Sequence, residues 1–294
     1  MIETDDGVEL ALWDEGEKGI PVVFLHGFPE NHHSWDALIK NLPAKVRNRF
    51  RLIRYDLRGF GESAKTGEAS LHRLYEDHQQ VIKALRLPKY HLVGHDWGGA
   101  IALHTARQAP ETLRSMTVLN TNYWKTDLFG MWHLLFLNLP AIPKLAFNLI
   151  PTRLFRMAIR AAFVQPARLN RQVAESFLKM FHDPSTIEYW IRLYRNMGKG
   201  LLGKKLPSLQ RLFSDKLDVS LQPSPKAYQV PTCLIWGQED RFNPPWIGED
   251  IRSRLSQKGC ATELHLVKDA GHFVHEEKPE AVVKLILKHW QSCK

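Results

Sequence analysis

The sequence predicts an α/β protein in which a mostly parallel, doubly wound sheet is interrupted by a helical insertion. Three observations predict it. Short, nearly continuous apolar runs recur along the chain: VVFLHG (22–27), RLIRYD (51–56), YHLVGHD (90–96), RSMTVLN (114–120), TCLIWG (232–237) and ELHLV (263–267). Most end in Gly, Asp or Asn, as strands buried on both faces of a parallel sheet do. The segments between them carry helical spacing: Trp35, Leu38, Ile39 and Leu42, then Leu74, Val81, Ile82 and Leu85, and finally Ala281, Val282, Leu285 and Ile286. Between Asn120 and Pro231 the alternation stops, and the chain reads as helices punctuated by Pro140, Pro143, Pro151, Pro166, Pro184 and Pro207.

Taken in order, the early VELALWDEG (8–16) alternates and supplies an antiparallel edge hairpin, so the sheet is mixed. The βα units that follow and the two closing strands make one core, residues 1–120 and 231–294. The stretch 121–230 is too long for a structureless loop and is read as a helical cap. Ligands of doubly wound sheets sit outside the carboxyl ends of the strands. An insertion leaving that end covers the site as a lid.

At 294 residues with 44% hydrophobic side chains the chain can bury a large core. Three scattered cysteines (Cys233, Cys260, Cys293) without a CxxC fit neither a disulfide framework nor a zinc site, and suggest a reducing compartment. No metal or cofactor is expected. The acidic start MIETDDGVEL lacks the apolar core of a signal peptide, which makes the cytoplasm the expected location. The most apolar window, Met131 to Ile150, contains Lys144, His133, two asparagines and two prolines, so a membrane span is not expected.

The strongest chemical signal is GHDWGG (94–99), directly after one apolar strand and before the helical AIALHTARQ. A strand–turn–helix with glycines two residues either side of a central residue is the nucleophile elbow, a strained turn that exposes that residue at the top of the sheet. Here it is Asp96; a helix N-cap is the structural alternative for an Asp so placed. A carboxylate needs no deprotonation to act as a nucleophile and can attack saturated carbon to give an ester. That ester must then be hydrolysed by water, which requires a base and an oxyanion hole.

These pieces resemble the α/β-hydrolase family, in the branch with an Asp nucleophile that contains epoxide hydrolases and haloalkane or haloacetate dehalogenases. The matching strings are HGFPE (26–30), DLRGFGES (56–63), GHDWGG, WGQEDRFNP (236–244) and AGHFVHEEKPE (270–280), and they span essentially the whole chain. The resemblance implies an α/β-hydrolase fold with a mostly parallel eight-stranded sheet and a cap. The order Asp, acid, His selects His272 as base, with Asp240 as its orienting carboxylate; Glu239 is adjacent. The acid site after the preceding strand in some relatives holds Asn120 here, which cannot carry a charge. The oxyanion hole falls to the N–H groups of Phe28 and Trp97. His26 and Pro29 belong to the loop beside the pocket; Pro29, as in the HGFP of the relatives, shapes that loop, and a cis bond before it is one way to do so that the sequence itself does not specify.

The subclasses differ in how the leaving group is stabilised, and the resemblance implies two lid tyrosines for an epoxide. Tyr194, in RLYRNM (192–197), looks like the second. The first should precede FVQP (163–166), yet FRMAIRAAFVQP has no Tyr, His or Trp. Tyr123 and Tyr189 are the substitutes, although Tyr189 and Tyr194 point about 140° apart on one helix. Phe28 stands where haloalkane dehalogenases carry a halide-binding Asn, and Trp97 where haloacetate dehalogenases have an Arg. The leading expectation is an epoxide hydrolase giving a vicinal diol. Carbon–halogen hydrolysis is the alternative, and an ester- or lactone-acting or non-catalytic relative the third.

The chain carries a net charge of +9, and residues 121–230 hold 16 Lys+Arg against 6 Asp+Glu. The excess therefore lies in the cap. It fits focusing of an anionic electrophile, transient contact with a membrane surface that supplies apolar substrate, or a merely solvated face. No nucleic-acid motif accompanies it. The expected partners are a small-molecule substrate and water, in a monomer or homodimer.

Overall fold

The computed structural model describes residues 1–16, 18–124, 127, 136–139, 142–202 and 227–293. Parts of the 121–230 insertion, including much of the Met131 to Ile150 window, therefore lie outside the described residues. Nine strands are found among the described residues: β1 (Ile2–Glu3), β2 (Glu9–Leu10), β3 (Leu12–Glu15), β4 (Ile20–Leu25), β5 (Phe50–Tyr55), β6 (Tyr90–His95), β7 (Leu113–Leu119), β8 (Thr232–Gly237) and β9 (Thr262–Val267). The central sheet has seven strands in the order β3-β5-β4-β6-β7-β8-β9, with β3 antiparallel and the rest parallel.

The count corrects the expected eight. The early alternating stretch divides at Ala11: β2 pairs with β1 in a separate antiparallel ribbon, and only β3 joins the sheet. The N–H of Ala11 goes to Ser63 Oγ and its carbonyl to Asp56 N–H, so the chain leaves one ladder for the other at that residue.

The helices are α1 (Asp36–Asn41), α2 (Ala44–Arg47), α3 (Leu71–Ala84), α4 (Trp97–Gln108), α5 (Ile142–Leu149), α6 (Thr152–Ala161), α7 (Arg171–Phe181), α8 (Pro184–Leu202), α9 (Pro245–Gln257), α10 (Val274–Glu277) and α11 (Pro279–Ser292). One face of the sheet packs Trp35 and Leu38 of the α1 region against Val282, Ile286 and Trp290 of α11. The other packs Leu74, Val81 and Ile82 of α3 against Ile101 and Leu103 of α4, in a core that continues into the insertion through Phe155, Phe177 and Trp190. Burying both faces is why the strands read as continuous apolar runs.

The chain runs from β4 outward to β5 and returns to β6 on the other side of β4, so the winding reverses between β4 and β6. Their carboxyl ends carry Gly27–Phe28 and Asp96. This crevice is where the fold places a ligand.

Candidate active site

Asp96 occupies the turn between β6 and α4 with φ +49° and ψ −114°, outside the regions open to a residue with a side chain. Neighbouring bonds hold it there. Its N–H donates to the Leu119 carbonyl, and its carbonyl accepts from Ala100 N–H and, at 2.5 Å, from Thr121 Oγ1. Gly98 N–H donates to the His26 carbonyl, a closeness that a side chain would prevent: a Cβ at Gly98 would strike the Leu25 carbonyl, and one at Gly94 the Gly98 carbonyl.

The Asp96 carboxylate is held by one oxygen and open at the other. Phe28 N–H donates to Oδ1 at 2.8 Å, while Oδ2 lies 3.9 Å from His272 Nε2. The Phe28–Pro29 bond is cis. Trp97, first residue of α4, has a main-chain N–H among those that a helix start leaves without an intrahelical acceptor.

His272 Nδ1 pairs with Asp240 Oδ2 at 3.0 Å. Asp240 is 4% exposed and accepts four bonds: Phe242 and Asn243 N–H on Oδ1, and Asn120 Nδ2 at 2.6 Å beside His272 on Oδ2. Its acceptor capacity is filled, which fixes the ring that it faces. Burial alone would lower the His272 pKa. The charge and hydrogen bond of Asp240, helped by Asp96 and Glu30, outweigh it and raise the value to about 9. Glu239, the neighbouring carboxylate, is exposed and accepts from Ala270 N–H instead.

A cavity of about 400 Å³ opens over these groups. Its walls are apolar, with Phe28, Phe147, Phe155, Ile159, Phe181 and Phe273 prominent, and its side-chain polar atoms come from Asp96, His272, Asn243 and Tyr194. No Lys or Arg is among the described residues that line it. Tyr194 is buried, its hydroxyl accepts from Trp97 Nε1 at 3.3 Å, and its ring meets those of Phe28 and Trp97 edge-on. Burial, and then the charge of Asp96, push its hydroxyl well above the usual tyrosine range.

Of the four pocket residues read from the sequence, Pro29 lines the cavity and the other three do not. His26 lies beneath it, its Nδ1 against the Gly27 carbonyl and its Nε2 accepting from Leu57 N–H. Tyr123 packs behind α4 with its hydroxyl on His104 Nδ1. Tyr189 turns to the opposite side of α8 from Tyr194 and donates to the Glu68 carbonyl, because its ring fills the space left by Gly59. Trp97 reaches the site through its main chain and its contact with Tyr194 rather than as cavity wall.

Sequence reasoning missed three supports. Asn120, read only as an absent acid, donates to Asp240 and accepts Gly237 N–H. Glu277 receives Gly271 N–H on one oxygen and Gln165 N–H on the other, joining the His272 loop to the insertion. Glu30, last residue of the quoted HGFPE, is fully buried against His95 and His275. A carboxylate directly after a buried loop motif was the available signal for Glu30.

A family profile described as alpha/beta hydrolase fold matches residues 20–279. Epoxide hydrolase 4 of Mus musculus is 26% identical over 300 residues, covering 96% of this chain and 76% of its own length. Haloalkane dehalogenase 2 of Mycobacterium tuberculosis is 26% identical over 282 residues, covering 94% and 90%. Among solved structures, a putative acyltransferase from Salmonella enterica superposes with a TM-score of 0.79 at 21% identity, covering 99% of this chain and 93% of that one. The last shows the fold alone.

Proposed function

Given that the chain belongs to the alpha/beta hydrolase fold family, we propose that it is an epoxide hydrolase for neutral, apolar epoxides, working through an ester on Asp96. The observation that carries this reading is one carboxylate with Oδ1 on the Phe28 N–H and Oδ2 toward His272, in an apolar cavity that also contains the Tyr194 hydroxyl. Residues 1–120 and 231–294 act as catalytic core and 121–230 as cap.

In the first step Asp96 Oδ2 attacks an epoxide carbon. The carbon–oxygen bond breaks, and Tyr194 passes its proton to the leaving oxygen. The charge of Asp96 disappears into the ester. Because that charge is one of the groups raising the His272 pKa, its loss lowers that pKa and favours the neutral imidazole, which is the form able to take a proton when water must be activated. In the second step His272 Nε2 takes a proton from water, and the hydroxide attacks the Asp96 carbonyl carbon. Negative charge develops on the oxygen that the Phe28 N–H already holds, with the Trp97 N–H as the second donor that this reading assigns. The ester carbon–oxygen bond then breaks, the diol leaves with a proton returned by His272, the Asp96 acid left behind gives its proton to solvent, and Tyr194 is reprotonated from solvent.

Carbon–halogen hydrolysis would use the same ester, and the likeness to haloalkane dehalogenase 2 favours keeping it as the second reading. Against it, the Trp97 indole N–H is turned to Tyr194 rather than to the cavity. A haloacetate would also need a cation in the wall. Incubation with a neutral aryl or long-chain alkyl epoxide should give a diol; halide release without diol formation would replace this reading by the second.

The basic cap fits a lipid surface better than an anionic substrate. On α6, Arg153, Arg156 and Arg160 occupy one exposed flank and Leu154 and Met157 the adjoining one, with Leu149 exposed just before. Leu154 also lines the cavity. Apolar substrate can therefore pass from an anionic bilayer to the mouth along one helix. No helix among the described residues is long and apolar enough to cross a membrane.

A further inference from the structure

Two residues directly after β7 serve the site from beside it. Asn120, at φ +37°, takes a left-handed turn that Asn tolerates, and its side chain goes to Asp240. Thr121, the next residue, is fully buried and reaches α4 instead. Its Oγ1 lies 2.5 Å from the Asp96 main-chain carbonyl and 3.3 Å from that of Asn122. A hydroxyl has one proton to donate, and the shorter contact claims it. The close approach is built into the elbow: a Cβ at Gly99 would lie 2.7 Å from Thr121 Cβ, so the last glycine of GHDWGG is what admits this side chain.

The end of β7 thus grips Asp96 at both main-chain groups, since the Leu119 carbonyl accepts its N–H. A residue in so unfavourable a backbone conformation persists only where its surroundings over-determine it. The Asp96 carbonyl also shares one planar peptide unit with the Trp97 N–H, and in a trans unit the two point in opposite directions. Ala100 N–H donates to that carbonyl as well, which directs it into α4. The Trp97 N–H therefore faces out of the helix start. Two donors on the carbonyl leave the plane little room to rotate, and they polarise the amide so that its N–H donates more strongly.

We propose that Thr121 is a positioning residue for ester hydrolysis: by holding the Asp96 main-chain carbonyl, its hydroxyl keeps the Trp97 N–H aimed at the oxygen that gains charge in that step. Thr121 does not line the cavity and acts through the peptide unit. The proposal rests on the reading of Asp96 and Trp97 given above, and its effect falls on one half-reaction. Ester formation develops charge on the oxygen leaving the substrate carbon. Ester hydrolysis develops it on the Asp96 oxygen, where the direction of a fixed donor counts. The hydroxyl carries the role and the methyl does not, so substitutions that keep one and remove the other separate positioning from packing.

Two measurements test this. In wild-type protein labelled with ¹³C and ¹⁵N, exchange of the Thr121 hydroxyl hydrogen for deuterium should shift the ¹³C resonance of the Asp96 main-chain carbonyl. A shift at the Asn122 carbonyl in its place, or at neither, overturns the proposal. In single-turnover kinetics with a reactive epoxide, Thr121→Val should form the ester within about threefold of the wild-type rate and hydrolyse it roughly 10- to 100-fold more slowly, so that the ester accumulates in the mass spectrum. Thr121→Ser, which keeps the hydroxyl and loses the methyl, should hydrolyse it within about threefold of wild type. Wild-type hydrolysis by Thr121→Val, equal loss in both steps, or equal loss in the two variants would overturn the role. If Thr121→Val does not fold, the isotope shift and Thr121→Ser decide. A wild-type protein that forms no ester refutes the reading of Asp96, and the isotope shift then decides whether Thr121 holds the peptide.

Discussion

The main-chain N–H of Phe28 donates to Oδ1 of Asp96 at 2.8 Å, joining residues 68 positions apart. One oxygen of the carboxylate is thereby seated against a fixed donor, and the other remains available over the cavity floor. In the proposed reaction the held oxygen becomes the ester carbonyl, so its donor is in place before charge develops. No reorganisation is needed at that moment.

That geometry separates the two half-reactions. With His272→Gln the ester should form and persist, and intact-protein mass spectrometry after incubation with a reactive epoxide should show a gain of one substrate mass. Asp96→Ala should show no gain and lose roughly 10⁴-fold or more in kcat. An adduct on Asp96→Ala would place the nucleophile elsewhere.

Tyr194 distinguishes the two leaving groups. Tyr194→Phe should slow epoxide opening by roughly 10²- to 10⁴-fold, the range for loss of a positioned acid, while leaving the Asp96 ester able to hydrolyse once formed. Pre-steady-state kinetics that find the second step impaired and the first intact would contradict this assignment.

His272 also writes a pH dependence into stability. Its pKa in the fold, about 9, lies above the ordinary histidine value of 6.5. A raised value means that the folded state binds the proton more tightly. The contribution is therefore complete below about pH 6.5, declines as pH rises, and is lost above about 9. Denaturant titrations of wild type and His272→Gln should show a stability gap that narrows across that interval. A gap that widens with pH would refute the direction.

The elbow glycines test packing without touching chemistry. Ala at Gly94 or Gly98 must displace a main-chain carbonyl of an adjacent segment, and overpacking against backbone costs about 3 kcal/mol. Calorimetry should show a Tm lowered by several degrees for either. A wild-type Tm would mean that the turn relaxes more easily than its contacts indicate.

The cap surface can be read without a substrate. Vesicles of neutral and of anionic lipid should separate by co-sedimentation: binding only to the anionic set, weakened by salt, and reduced about fivefold for each of Arg153 and Arg160 replaced by a neutral residue. Leu149→Ser with Met157→Ser should also weaken it. Equal binding to both lipids, or none, removes the membrane from the scheme.

The legible parts of the sequence were those in which one residue type answers one local demand. Gly94 and Gly98 mark a turn that admits no side chain, and Asp96 between them stands where strand meets helix. The apolar runs gave the parallel strands because both faces are buried. What escaped depended on distant partners. Nothing near Tyr189 in the chain reveals Gly59, whose missing side chain takes up its ring. Nothing near Asn120 reveals that its amide would meet a carboxylate 120 positions later. The split at Ala11 likewise turns on Ser63 and Asp56, which the alternation of VELALWDEG does not register.

The bonds that tie α8 to the core have a consequence for how the protein can diversify. Tyr189, Arg192 and Asn196 donate to the carbonyls of Glu68, Gly67 and Ala69, so the helix bearing Tyr194 is fastened along its length to the same body that carries Asp96. In the proposed reaction the acid and the nucleophile therefore travel together. Among the described residues, the wall formed by α5 and α6 shows no such triple fastening to that loop, so changing the size of Phe147, Phe155 or Ile159 should alter the chamber more than the distance between Tyr194 and Asp96. Selection for a new guest molecule can thus act on one side of the chamber while the chemistry on the other is inherited intact.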